Sequence, residues 1–187
     1  MTWLNIGCGP FKAPKPWVNT DVISIPGNVE PDILVKTPWP SELVEHGIPK
    51  GSLERVYLGH VMEHIRWDRI HDFMDQLKQM CAPGAEVMIV GPDSNRTIQL
   101  WKEGIDTWED VIGILEDDVH YQTTRADWEG ARHCWNCYEG RIVRLLQDAG
   151  FDAVEAVPIN PDALEGWPVV AFTQHQCAAK GRVPKKS

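Results

Sequence analysis

An apolar run from Trp3 to Ile6 stops abruptly at Gly7-Cys8-Gly9, and this break constrains what the chain can become. A strand that ends in Gly-x-Gly ends in a tight turn. Glycine takes positive φ at little steric cost, and its missing Cβ lets a ligand approach the backbone. In open α/β sheets the ligand crevice lies beyond the carboxyl ends of the strands, where such a turn falls. Asn5, Gly7, Cys8 and Gly9 are therefore candidate cofactor contacts. A nicotinamide or flavin fingerprint would need a third glycine opening a helix. That position holds Lys12, and Pro10, Pro14 and Pro16 make the stretch a loop rather than a helix.

The rest of the chain alternates strands and helices. Trp17 to Ile23 reads as a second strand ending near Asp21, and Asp32 to Val35 as a short buried third. Ser41 caps a short helix over Glu42 to His46. Leu53 to Leu58 alternates as a fourth strand. A helix over Trp67 to Met80 turns Ile70, Phe73, Met74, Leu77 and Met80 inward. Ala85 to Val90 is a fifth strand, with Gly91-Pro92-Asp93-Ser94 as the loop beyond it. Thr107 caps a helix over Trp108 to Glu116, with Val111, Ile112 and Leu115 inward. Tyr138 to Ala149 is amphipathic and ends at Gly150. Phe151 to Val157 and Val169 to Thr173 are the last strands, and residues 179–187 read as a flexible basic tail. Residues 94–137 have the weakest periodicity. Their tryptophans (Trp101, Trp108, Trp128, Trp135) favour an ordered substrate-side lid over disorder.

At 187 residues the chain fits one domain, residues 1–178, large enough for a real core. A net charge of −9 disfavours an electrostatic nucleic-acid binder without excluding one. Five scattered cysteines, with no leader pattern and no apolar run of membrane-spanning length, point to reduced thiols and a cytoplasmic setting.

The order of blocks resembles the class I S-adenosylmethionine (SAM)-dependent methyltransferases, in the compact methyltransferase-11-like branch whose first motif reads like Leu4-Asn5-Ile6-Gly7-Cys8-Gly9. The matching blocks are that motif, Trp17 to Val22, Gly59 to Ile65, Pro83 to Asp93, and Leu145 to Phe151. The resemblance implies a Rossmann-like α/β fold, a mostly parallel seven-stranded sheet of order 3-2-1-4-5-7-6 flanked by helices. It implies SAM as cofactor, with Asp21 on the ribose hydroxyls and Gly59 and His60 also at the cofactor. An adenine-contacting aspartate usual in the family is replaced by Lys36 or Thr37, so backbone near Thr37 to Trp39 would substitute. The implied activity is methyl transfer, to an oxygen or nitrogen of a small molecule or sugar. The alternatives are a SAM-binding protein without turnover, or metal-assisted O-methylation of RNA or a small molecule.

On a helix, His60, Glu63 and His64 would share one face, and they are the candidate catalytic residues. Asp93, His133 and Trp135 are candidate substrate contacts. His60-Val61-Met62-Glu63-His64 also fits the His-x-x-Glu-His zinc-hydrolase signature, yet it directly follows a buried strand. Small-RNA and ubiquinone-pathway O-methyltransferases are similar at this place, with Glu-x-x-Glu-His holding a divalent cation. The main reading assigns no metal. The alternative would place one on His60, Glu63, His64 and His133, with His60 standing where a Glu is expected. Cys134-Trp135-Asn136-Cys137 has zinc-like spacing but no second pair nearby.

Overall fold

A computed structural model describes residues 2–9, 11–22, 30–116, 133–168 and 173–185. Seven strands form one sheet in the order β3-β2-β1-β4-β5-β7-β6. β1 (Thr2–Ile6) lies between β2 (Trp17–Asp21) and β4 (Leu53–Gly59), parallel to both. β3 (Ile33–Leu34) extends one edge in parallel, and β5 (Cys81–Pro92) runs parallel to β4. β7 (Gln176–Arg182) is antiparallel to both β5 and β6 (Asp152–Val157). The carboxyl ends of β1, β2, β4 and β5 therefore share one rim.

Alternation along the strands divides the core between two faces. Val56, Leu58, Val87 and Ile89 join one cluster with α1 (Ile70–Met80) and α4 (Glu139–Asp148). Tyr57, Met88 and Val90 join the other, with Trp17, Leu164 and Ala178. The expected stripe of α1, Ile70, Phe73, Met74, Leu77 and Met80, is fully buried. α4 buries Ile142, Leu145 and Leu146. The helix over Trp108–Glu116 (α3) forms as expected, with the Thr107 hydroxyl accepting from Asp110 N at 3.2 Å.

Several expectations need correction. β3 is an edge strand, and Leu34 is exposed rather than buried. Ser41 does not cap a helix: a 3-10 turn spans Pro40–Val44, preceded by Trp39, with Pro40 supplying the start. The segment after β5 is not all loop, because α2 (Ser94–Lys102) follows, capped by Asp93 accepting from Arg96 N at 3.1 Å. The last strand is Gln176–Arg182; the strand expected over Val169 to Thr173 falls mostly outside the described residues. Residues 179–182 belong to β7 and not to a tail. Their basic groups meet acidic neighbours across the sheet: Lys180 contacts Glu155 at 2.9 Å and Arg182 contacts Glu86 at 2.7 Å.

Candidate active site

The glycine turn opens at the carboxyl end of β1. Gly7 (φ 68°) and Gly9 (φ 54°) both adopt left-handed geometry. They differ in what surrounds them. A Cβ on Gly7 would lie 2.4 Å from the Val61 Cγ2 methyl, whereas one on Gly9 would meet nothing within 4 Å among the described residues. The turn is drawn onto β2: Gly7 N and Cys8 N donate to Thr20 O, and Gly9 N donates to Asp21 Oδ2 at 2.7 Å. One oxygen of Asp21 is thus spent holding the turn. The Cys8 thiol is pushed up to about 11, by burial first and then by the nearby Asp21 charge, so it stays protonated.

Asn5 sits beneath the turn instead of facing it. It is buried, and its amide donates to Asn19 Oδ1 at 2.9 Å. Asn19 in turn holds Ala13 N and O and bonds Asp32, fixing the proline loop where a helix is absent. The sequence reading missed Asn19 and Asp32, although Asn on alternate positions of adjacent buried strands was a usable signal. Thr37 is not open for adenine through its amide: Thr37 N and Oγ1 both donate to Glu42 Oε2, at 2.9 and 2.7 Å. A cleft of about 440 Å³ lined by Lys36, Thr37, Trp39, Glu42, Arg69 and Gln76 lies on that side, and no residue of the glycine turn lines it.

The second half of the site stands at the ends of β4 and β5. Gly59 closes β4, with the Tyr57 ring where its Cβ would be. His60 follows with φ 55°, unusual for a residue with a side chain, and its N donates to Val90 O at 2.8 Å. The expected helix face is not what joins His60, Glu63 and His64. A single 3-10 turn, Met62–His64, carries Glu63 and His64, and His60 precedes it in left-handed geometry. His60 Nδ1 lies 3.1 Å from Glu63 Oε1, and His60 Nε2 lies 2.8 Å from Gln176 Nε2. Glu63 is 0% exposed. Burial alone would raise its pKa, but the His60 hydrogen bond and the charges of His60, His64 and His133 outweigh that and hold it below the usual carboxylate range.

His133 joins this group from far along the chain, its Nε2 4.0 Å from Glu63 Oε1 and its ring 5.0 Å from that of His64. Trp135 is buried, and its indole N–H clamps the 3-10 turn by donating to Met62 O and Ile65 O at 2.9 and 3.1 Å. Asp93 is engaged as the α2 cap. Beside it lies a pair the sequence reading missed, His175 Nδ1 at 3.6 Å from Asp106 Oδ2. Cys137 is buried beside Cys177, while Cys134 is exposed with its thiol at His64 O. Among the described residues, Glu63, His64 and His133 form the one set of three such side chains whose ligand atoms lie within 4.8 Å of one another. His60, the fourth member of the expected set, is not part of it. Residues His120, Tyr121, Arg125, Trp128 and Arg132 of the expected lid lie outside the described residues, and no described helix is long and apolar enough to cross a membrane.

No protein-family model matches the chain, and no curated protein matches it in sequence. Solved structures do match in shape. A SAM-dependent methyltransferase from Archaeoglobus fulgidus aligns over 97% of this chain and 85% of that one, at 12% identity and TM-score 0.56. One from Methanosarcina mazei aligns over 99% and 93%, at 15% identity and TM-score 0.53. The 1,6-didemethyltoxoflavin-N1-methyltransferase of Burkholderia thailandensis, solved with 1,6-didemethyltoxoflavin and S-adenosylhomocysteine, aligns over 98% and 71%, at 14% identity and TM-score 0.53. At these identities the likeness is one of fold, and with the strand order it is specific: this chain has the Rossmann-like fold of the class I SAM-dependent methyltransferases.

Proposed function

We propose that the protein binds SAM at the glycine turn and transfers its methyl group to an oxygen or nitrogen of a small molecule or sugar. The observation that carries this is the turn itself. Gly9, at the carboxyl end of β1, has no described residue within 4 Å of where its Cβ would be, and Asp21 stands beside it at the end of β2. Phosphate-binding cofactors fit less well, because no helix N-terminus follows the turn; residues 11–16 are loop. SAM carries no phosphate and needs none.

When bound, SAM supplies a sulfonium methyl that an acceptor lone pair displaces in line. The chain's part is alignment and proton removal. Asp21, at the end of β2 with its Oδ2 accepting from Gly9 N, would accept from the ribose hydroxyls. On the acceptor side, Glu63 is too buried to touch a substrate, but His60 is 44% exposed at its side chain. Gln176 Nε2 can only donate, so His60 Nε2 accepts from it and Nδ1 carries the proton toward Glu63. A carboxylate behind Nδ1 leaves Nε2 as the basic atom, poised to take an acceptor proton once Gln176 is displaced.

Calorimetry with SAM tests the cofactor reading. Removing a charged acceptor costs roughly 1.5–3 kcal/mol, so Asp21→Ala should weaken SAM binding about tenfold to a hundredfold. Wild type failing to bind SAM, or Asp21→Ala losing less than twofold, would refute it.

A further inference from the structure

We propose that the hydroxyl of Tyr57 is a cofactor contact, which holds the amino-acid end of SAM by donating to its carboxylate. Tyr57 takes this role only if SAM binds at the glycine turn, as proposed above. It lies outside that turn, on β4.

The parallel register lines up β2, β1 and β4 row by row. Asn19, Asn5 and Tyr57 make one row, since Asn5 pairs with both. Side chains two residues apart on a strand share a face. The next row toward the carboxyl ends is therefore Asp21, Gly7 and Gly59, and two of those three have no side chain. The Tyr57 ring rises into the space this leaves on β4. Its Cε1, Oη and Cζ atoms lie 2.5, 2.6 and 2.8 Å from where a Gly59 Cβ would be. The ring is thus turned along its own strand toward the rim, and its hydroxyl stands level with Gly59, one strand over from the glycine turn.

Nothing described in the fold uses this hydroxyl. Asn5 and Asn19, in the same row, spend their amides on each other, on the proline loop and on Asp32. Tyr57 Oη bonds no described residue. It does not serve even its register partner Asn5, whose Oδ1 has no partner among the described residues. A buried tyrosine usually finds a partner for its O–H. Tyr57 keeps 6% of its surface, yet Oη is not one of the sealed polar atoms without a partner. The ring is packed with Trp17, Met88 and Val90, and the hydroxyl reaches the rim.

Burial first, and then the charge of Glu63, push this hydroxyl above its ordinary range, so it keeps its proton and donates. The Glu63 charge is itself met by the imidazoles of His60, His64 and His133. Connectivity decides which end of SAM comes to β4. The sulfonium joins the ribose to the amino-acid chain. With the ribose at Asp21 on β2 and the acceptor base His60 directly after β4, the methyl and the amino-acid chain fall on the β4 side. That chain carries a carboxylate, and a hydrogen bond from a neutral donor to an ionised acceptor is about twice as strong as a neutral pair.

Calorimetry on the full chain compares wild type with Tyr57→Phe, which keeps the ring and removes only the oxygen. The probes are SAM, S-adenosylhomocysteine and decarboxylated SAM, which retains the sulfonium, ribose and amine but has no carboxylate. Tyr57→Phe should bind SAM and S-adenosylhomocysteine about tenfold to a hundredfold more weakly, and decarboxylated SAM within about twofold of wild type. It should melt within about 2 °C of wild type by circular dichroism. Asp21→Ala, in contrast, should weaken all three probes, because each carries the ribose. The Tyr57 assignment is overturned if Tyr57→Phe loses less than about twofold for SAM, or loses as much for decarboxylated SAM. It is also overturned if the variant melts well below wild type, since the hydroxyl would then serve the fold. Wild type binding none of the probes would remove the SAM reading and Tyr57 with it. Loss in Asp21→Ala without loss in Tyr57→Phe would remove Tyr57 alone.

Discussion

Gly7 and Gly9 look equivalent in the sequence, and their surroundings predict that alanine will separate them. Both hold left-handed φ, so each alanine carries the strain of that geometry, about 1–2 kcal/mol. For Gly9 no described residue adds to this, because none lies within 4 Å of its Cβ position. For Gly7 the new methyl would lie 2.4 Å from Val61 Cγ2, and Val61 is itself buried in the core. Overpacking of this kind costs about 1–3 kcal/mol more, for a total of about 2–5 kcal/mol. A chain of this size loses roughly 2–4 °C of melting temperature per kcal/mol. Gly9→Ala should therefore fall by about 2–8 °C and Gly7→Ala by about 4–20 °C in thermal unfolding followed by circular dichroism. Adding Val61→Ala to Gly7→Ala should cost less than it does in wild type, with a coupling of about 0.5–3 kcal/mol. SAM calorimetry on folded Gly9→Ala should show weakened binding. If the two alanines melt within about 2 °C of each other, or Val61→Ala adds its full loss in both backgrounds, the steric account of the turn is wrong.

Two further outcomes follow from polar groups away from the turn. Glu42 is held below the usual carboxylate range: burial would raise it, but hydrogen bonds from Lys36 and Thr37 and the nearby His46 lower it. A depressed folded pKa contributes stability above the unfolded value of about 4.3 and loses it as pH falls through the folded value; Glu42→Gln should therefore melt below wild type near neutral pH and converge with it in acid, read from melting against pH. Asp93→Ala should lose the α2 cap, about 0.5–2 kcal/mol of stability by denaturant titration.

Where burial and periodicity agreed, the fold was legible. The α1 stripe and the glycine turn were read from the chain because each is a local pattern with one physical cause. The misreadings share another origin. Ser41 has the right chemistry to cap, yet Pro40 one residue earlier had already fixed the start of the turn. Lys180 and Arg182 look like a tail in a linear chain. Only the antiparallel register with Glu155 and Glu86 makes them strand residues. Leu34 is apolar and was placed inside, but β3 is an edge strand that pairs only with β2.

The candidate site shows a sharper version of the same limit. His60, Glu63 and His64 have a helical spacing that the backbone does not adopt; a 3-10 turn carries Glu63 and His64, and His60 meets Glu63 through its side chain. What separates their roles is invisible in spacing. Glu63 has no exposure and His60 has 44% at its side chain, so the carboxylate is closed to solvent and the imidazole is open to it. His133 reaches the group because Cys134 and Trp135 bind the backbone of residues 62–65, across about seventy positions of sequence. Trp135 is a candidate substrate contact in the sequence because a tryptophan can stack on a sugar or aromatic group, with core or lid packing the larger expectation. Its buried indole does something with more consequence for chemistry, since it fixes the loop that brings the third imidazole to the carboxylate. A site assembled by such a clamp depends on side chains that touch neither cofactor nor acceptor, and no motif built from the reacting residues alone would include them.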